Sequence, residues 1–191
     1  MTGFSFSTPD WLNEINGTSL ILSDIEDRAR FVIEASRRNV TKGTGVPFAA
    51  AVFDIDGRLI ALGVNLVLRE QCSVLHGEMV ALMLAERALG QADFSSGAYE
   101  LVTSSEPCAM CFGAIPWAGF KRVVCCARAS DDRAVDFDEG DKRADWAETY
   151  RGRGIEVVTD ICRNDAVAVL EAYVTEGTDL YAARRRAGLG M

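Results

Sequence analysis

The sequence predicts an α/β fold, a three-layer α/β/α sandwich with a central mixed five-stranded sheet. Three observations predict it. Five short apolar runs alternate with segments of helical length, the pattern of helices covering both faces of a sheet. Two of those runs are separated only by "DIDG" at 54–57, whose Asp56-Gly57 reads as a hairpin turn and makes that pairing antiparallel. The later runs are joined through helical segments, and such crossovers make strands parallel.

The first helix is "SDIEDRARFVIEASRRNV" at 23–40. Ser23 and Glu26 are spaced as a capping box, and Ile25, Ala29, Val32, Ile33 and Ser36 fall on one stripe. "VPFAAAVFD" (46–54) and "RLIALGVN" (58–65) are the two strands of the hairpin. "SVLHGEMVALMLAERALG" (73–90) has the length of a helix, with Ser73 as its N-cap and Gly90 as its stop. "AYELVTS" (98–104) and "KRVVCCAR" (121–128) read as buried strands flanking a short helix, "PCAMCFGAIPW" (107–117). "GIEVVTD" (154–160) is the last strand, and "NDAVAVLEAYVTEG" (164–177) a helix capped by Asn164 and Gly177. Between them "RASDDRAVDFDEGDKRADW" (128–146) is too polar for a core. It reads as a long excursion, and loops of that length are usually functional or disordered. No repeat, low-complexity tract or linker divides the chain, so one domain over 1–191 is expected, with its core at about 23–176.

Composition narrows the function classes. With 49% hydrophobic and 25% charged residues the chain has an ordinary globular balance. Its net charge of −8 argues against a nucleic-acid binder, which needs a basic face to neutralise phosphates. The one basic cluster, Arg184–Arg186, reads as a solvated tail. No apolar run approaches the ~18 residues that span a bilayer, so no membrane partner is expected. The start, "MTGFSFSTPDWLNEIN", has neither a basic n-region nor an apolar h-region, and the six cysteines do not form the framework of a small secreted chain. A reducing, cytoplasmic location is the expectation.

The only histidine, His76, stands in "VLHGEMVAL" two residues before Glu78. A lone histidine is more often a packed residue than a ligand. The segment "SSEPCAMC" changes that reading. Pro107 suits the first position of a helix, which puts Cys108 and Cys111 in the first turn, on one face. There the helix N-terminus favours thiolate over thiol. One His and two Cys are three ligands, the count that leaves a tetrahedral zinc one open position for water, whereas a structural site takes four. Cys125 and Cys126, inside an apolar strand, read as small hydrophobes, and Cys72 is the remaining candidate for a fourth ligand. Glu78, too close to His76 to share the metal, can reach the water and carry its proton.

HxE followed by PCxxC is the combination found in zinc deaminases. With these motifs the chain resembles the cytidine/deoxycytidylate deaminase-like superfamily, and within it the guanine deaminase branch, from about residue 46 to Tyr181. The resemblance implies a cytidine deaminase-like fold, one zinc per chain on His76, Cys108 and Cys111, and a proton shuttle at Glu78. It implies a second catalytic acid at Glu139 in "FDEG", since spacing alone would make that stretch a solvated acidic loop. It implies base contacts from Asn65 in "LGVN", Phe48 in "PFAA" and Trp117 in "AIPWAG". "DLYAA" resembles the C-terminal segment whose tyrosine, here Tyr181, closes the pocket from the partner subunit of a homodimer, with residues 177–191 as the exchanged tail. One departure is "HGE", where guanine deaminases usually read HAE and fungal-type cytosine deaminases read HGE.

The leading expectation is therefore hydrolytic deamination of a free base, guanine, to xanthine and ammonia. The alternatives are cytosine or a related aminopyrimidine or triazine, adenosine in tRNA, which conflicts with the acidic balance, and a zinc-stabilised binding protein without catalysis, which would have no use for Glu78.

Overall fold

The computed structural model describes residues 3–175. Strands β1 (Ala49–Asp54), β2 (Leu59–Val64), β3 (Tyr99–Ser105), β4 (Arg122–Ala127) and β5 (Glu156–Val158) form one sheet in the order β2-β1-β3-β4-β5. β1 runs antiparallel to both β2 and β3, while β3, β4 and β5 are parallel. The mixed five-stranded sheet is thus the one expected. Gly57, at φ +83°, makes the hairpin turn that a side chain would strain.

Alternation along the strands builds the layers. Ala50, Val52, Leu101, Val123 and Cys125 face one side. There they meet Ala81 and Ala85 of α4 (Gly77–Leu89), Ile115 of α5 (Ala109–Ala118) and Tyr150 of α7 (Trp146–Arg151). Ala51, Phe53, Val102 and Val124 face the other, against Trp11 and Leu12 of α1 (Asp10–Asn16) and Val32 and Ala35 of α2 (Ile25–Thr41). Cys126 joins that side too, packing with Ile33 of α2 and Val169 and Leu170 of α8 (Arg163–Thr175). Both β4 cysteines are buried hydrophobes, as read from the sequence.

One close approach sets the position of α4. A Cβ at Gly63 would stand 2.2 Å from the Ala81 nitrogen and 2.5 Å from the Gly77 oxygen. The helix backbone therefore lies directly on β2, and only glycine fits between them.

Several boundaries differ from the sequence reading. The N-cap of α2 is Asp24, whose carboxylate accepts from the Glu26 and Asp27 amides at 2.8 and 3.3 Å. Ser23 is displaced from that role because its carbonyl accepts from the buried Arg28 guanidinium. α4 is capped by His76, not Ser73. Leu75, fully buried, gives its carbonyl to the Leu66 amide at 2.9 Å, which keeps the chain extended up to the histidine. Pro107 precedes the N-cap of α5, Cys108, where it was expected to be the first helical residue.

Short helices that periodicity did not show are α1, α3 (Val67–Glu70), α6 (Ala129–Ala134) and α7. α1 lies ahead of the core start expected near residue 23. Its last residue, Asn16, accepts from the Leu62 amide at 2.7 Å and donates to the Leu62 carbonyl at 3.0 Å, pairing with the outer edge of β2 as a strand would. No described helix is long and apolar enough to cross a membrane.

Because the Gly63 contact is backbone against backbone, Gly63→Ala is expected to cost about 3 kcal/mol of unfolding free energy, read from the midpoint of a urea titration.

Candidate metal centre and cavity

Two helix N-termini converge at the carboxyl end of β3. His76 caps α4 and Cys108 caps α5, each with extended backbone and neither side chain spent on capping its own helix. Cys111 lies one turn into α5 and is fully buried. The Cys108 Sγ is 3.5 Å from His76 Nδ1, and the three donor atoms of His76, Cys108 and Cys111 lie within 4.8 Å of one another. Zinc–nitrogen bonds of about 2.0–2.1 Å and zinc–sulfur bonds of about 2.3 Å, at a tetrahedral angle, place such donors about 3.6 Å apart. The donor set fits zinc. Cys72 is not part of the group, so among the described residues three ligands converge and a fourth does not.

The electrostatics suit a soft cation. A hydrogen bond from Cys111 leads the effects that pull the Cys108 thiol down to about 4, with the neighbouring His76 adding to it. The same bond, with burial, pushes Cys111 well up, so the pair holds one proton that a metal would displace. Burial opposes charge on His76, but the Cys108 thiolate and Glu78 outweigh it and raise its pKa.

Beside the triad is a cavity of about 300 Å³ lined by His76, Glu78 and Cys108, together with Phe48, Asn65 and Glu139. That volume is at the small end of ligand pockets and suits a single ring system. Glu78 is buried in the first turn of α4, and burial, then the Cys108 thiolate, raises its pKa. Glu139, also buried, is raised by burial and by the nearby Asp132 carboxylate. Both carboxyls are therefore shifted upward, Glu139 to about 9. The Asn65 Oδ1 accepts from the Val67 amide at 3.1 Å, leaving its NH₂ to donate to a ligand. Phe48 and Phe137 meet edge to face, centroids 4.7 Å apart, and form an aromatic wall.

The structure does not bring every expected residue together. Trp117 is 87% exposed on α5 and does not line the cavity. It lies two turns along α5 from Met110, which does line the cavity, and so stands beyond the cavity along the helix. Tyr181 lies outside the described residues. Val46, Thr103, Ser105 and Met110 line the cavity without having been singled out. Thr103 and Ser105 carried a usable signal: they are alternate polar positions at the end of a strand that runs directly into the motif.

Known proteins resemble this chain. The solved structure of guanine deaminase from Nitrosomonas europaea is 41% identical, with 91% of this chain and 97% of that one covered at a TM-score of 0.88. The protein NE0047 in complex with 2,6-diaminopurine is 42% identical over 94% of this chain and 97% of that one, with a TM-score of 0.89. Guanine deaminase of Bacillus subtilis is 38% identical over 105 residues, 52% of this chain, and the chain spans 62% of that relative's length.

Replacing one ligand tests the centre directly. Cys108→Ala is expected to purify with zinc lost, against about one zinc per chain in the parent, by elemental analysis. The residues at stake lie inside a recognised family unit. Residues 23–127, more than half of the 191, match the cytidine and deoxycytidylate deaminase zinc-binding region, and this chain belongs to that family.

Proposed function

We propose that the chain is a zinc-dependent aminohydrolase acting on a free nucleobase, converting guanine to xanthine and ammonia. The observation that carries this reading is that one small cavity holds two buried carboxyls, Glu78 and Glu139, beside the ligand triad. The relative with 2,6-diaminopurine bound supports it, since that base, like guanine, carries an amine at C2.

Zinc, when bound by His76, Cys108 and Cys111, supplies the Lewis acid that brings a water's pKa near neutrality. Glu78 accepts a proton from the attacking water and returns it to a ring nitrogen beside C2. Glu139, held protonated by its burial, donates to the exocyclic nitrogen as the C2–N bond breaks and the new C2–O bond becomes a carbonyl. Glu139, left as a carboxylate, takes up the proton that the C2 hydroxyl releases as it becomes the carbonyl, so water is consumed, ammonia leaves, and both carboxyls end as they began. Phe48 and Phe137 hold the flat base, and the Asn65 NH₂ meets an acceptor on it. The walls bury the base and exclude bulk water, which strengthens these charge-assisted contacts.

The reading includes a homodimer in a reducing, cytoplasmic setting, in which Cys108 and Cys111 stay available as thiols. Helix α5 has no charged residue, and its exposed Trp117 belongs on a surface covered by a second copy. Trp117→Asp is expected to shift the protein to a monomer in size-exclusion chromatography with light scattering.

Two substitutions separate the carboxyls. Glu78→Gln is expected to keep zinc and lower turnover on guanine about 10²–10⁴-fold, as for a lost general acid–base group. Glu139→Gln is expected to cut guanine turnover steeply at unchanged zinc content and melting temperature. Ammonia release from guanine and from cytosine, on the parent and both variants, checks the assignment. Release from cytosine alone, with Glu139→Gln at parental rate, overturns guanine as the substrate.

A further inference from the structure

The excursion at 128–146 is not a free loop. Besides the Asp131–Arg163 ion pair and the ring contacts of Phe137, its ties land repeatedly on one five-residue stretch, Ser105–Ala109, the stretch that carries Cys108. At the start, the Ala129 amide donates to Glu106 Oε2 at 3.3 Å. In the middle, the Ser105 hydroxyl donates to Asp132, which is fully buried and whose carbonyl takes the Phe137 amide at 3.0 Å. Near Glu139 itself, the Ala109 amide donates to the Glu139 carbonyl at 2.9 Å. At the far end, Lys142 Nζ donates to Glu106 Oε2 at 3.2 Å and to the Pro107 carbonyl at 2.7 Å.

Lys142 is unusual for a surface-loop lysine. Its side chain is 5% exposed, and its ammonium sits 4.9 Å from the centroid of the Trp146 ring. Desolvating an ammonium is costly unless it is paired and hydrogen-bonded, and a flexible lysine also gives up rotamer freedom. That cost is met here by one carboxylate, one carbonyl and one aromatic face. Glu106 accepts from both ends of the excursion, so with Lys142 it closes the segment into a ring around Glu139.

We propose that Lys142, through Glu106 and the Pro107 carbonyl, is a positioning residue that holds Glu139 at the cavity. The proposal rests on the reading of Glu139 as an acid of the reaction. Lys142 touches neither the cavity nor the ligand triad. It reaches the site through Glu106, which lines the cavity, through the Pro107 carbonyl, and through its charge on Glu139, and the double-mutant cycle isolates the part that passes through Glu139. A displacement of about 1 Å in a catalytic group costs about 10²-fold in rate.

The test is a double-mutant cycle with a structural readout. Lys142→Met and Lys142→Arg are made in the parent and in Glu139→Gln. Guanine turnover, zinc content and hydrogen exchange of the Ala109 amide are measured on each. In the parent, Lys142→Met is expected to lower kcat about 10²-fold with zinc retained, and Lys142→Arg to recover most of the loss. In the Glu139→Gln background, Lys142→Met is expected to add less than about twofold, because coupled residues are not additive. The Ala109 amide is expected to exchange faster in Lys142→Met, since its acceptor is the Glu139 carbonyl. An equal loss in both backgrounds overturns the proposal, as does unchanged Ala109 exchange. If Lys142→Met does not fold, Glu106→Gln removes the ion pair while keeping an amide acceptor, and the same two outcomes decide. If the parent releases no ammonia from guanine, the substrate assignment fails, while the exchange measurement still decides whether Lys142 holds the segment.

Discussion

Helix α4 rests on the β1–β2 hairpin with no side chain between them at Gly63, and the site depends on that contact. The strand residue paired with Gly63 is Ala50, and a Cβ at Gly77 would meet Ala49 backbone atoms at 3.0–3.3 Å. The first turn of α4 is thus pinned by two glycines against adjacent strands. His76 and Glu78 flank Gly77 in sequence, so the height of the helix above the sheet decides how deep the imidazole and the carboxyl sit. Alanine at 77 would need its neighbours to give by a few tenths of an ångström, whereas alanine at 63 would have to move the helix. The "HGE" form of the motif is accordingly a matter of how tightly this turn is seated, more than of metal chemistry.

The other half of the site follows from chain topology. β3 and β4 are parallel, so the chain must leave the end of β3, cross over and return, and α5 is that crossing. A crossover that starts immediately after the strand puts its N-terminus at the strand's carboxyl end. That is where oriented amides favour anions. The Cys108 thiolate and the end of α4 meet there because one helix is a crossover and the other is seated on the hairpin.

Much of this was legible in the sequence, and the reasons differ from residue to residue. The strands read correctly because both faces of the sheet are covered, which makes them continuous apolar runs. The ligand triad was legible because spacing within a helical turn survives an error of one residue in its boundary: Cys108 moved from the first turn to the cap and kept its partner. The caps themselves were less legible. Ser23 and Ser73 have the right chemistry, yet the Arg28 bond to the Ser23 carbonyl and the Leu66 bond to the Leu75 carbonyl decide what their neighbourhood does. Trp117 was reached through resemblance to the motif. It lies two turns beyond Met110 on the same helix and is 87% exposed within the described residues of one chain. Glu139 was reached only through resemblance. No local pattern marks it, since its burial comes from ties to Ser105–Ala109 distant in the chain.

The pairing of Asn16 with Leu62 reaches beyond the site. β2 is an outermost strand, and an outermost strand with open amides and carbonyls is a template for another chain. Asn16 fills two of those bonds with a single side chain, and Trp11 and Leu12 beside it hold α1 down in the core. The opposite rim is protected differently: β5 is only three residues long. The sheet thereby carries an amide stopper at one border and a truncated strand at the other. With Leu20 and Leu22 bonding the start of β2 and the turn before it, resistance to ordered self-aggregation, as distinct from folding stability, is set at residues 10–22, far from the cavity.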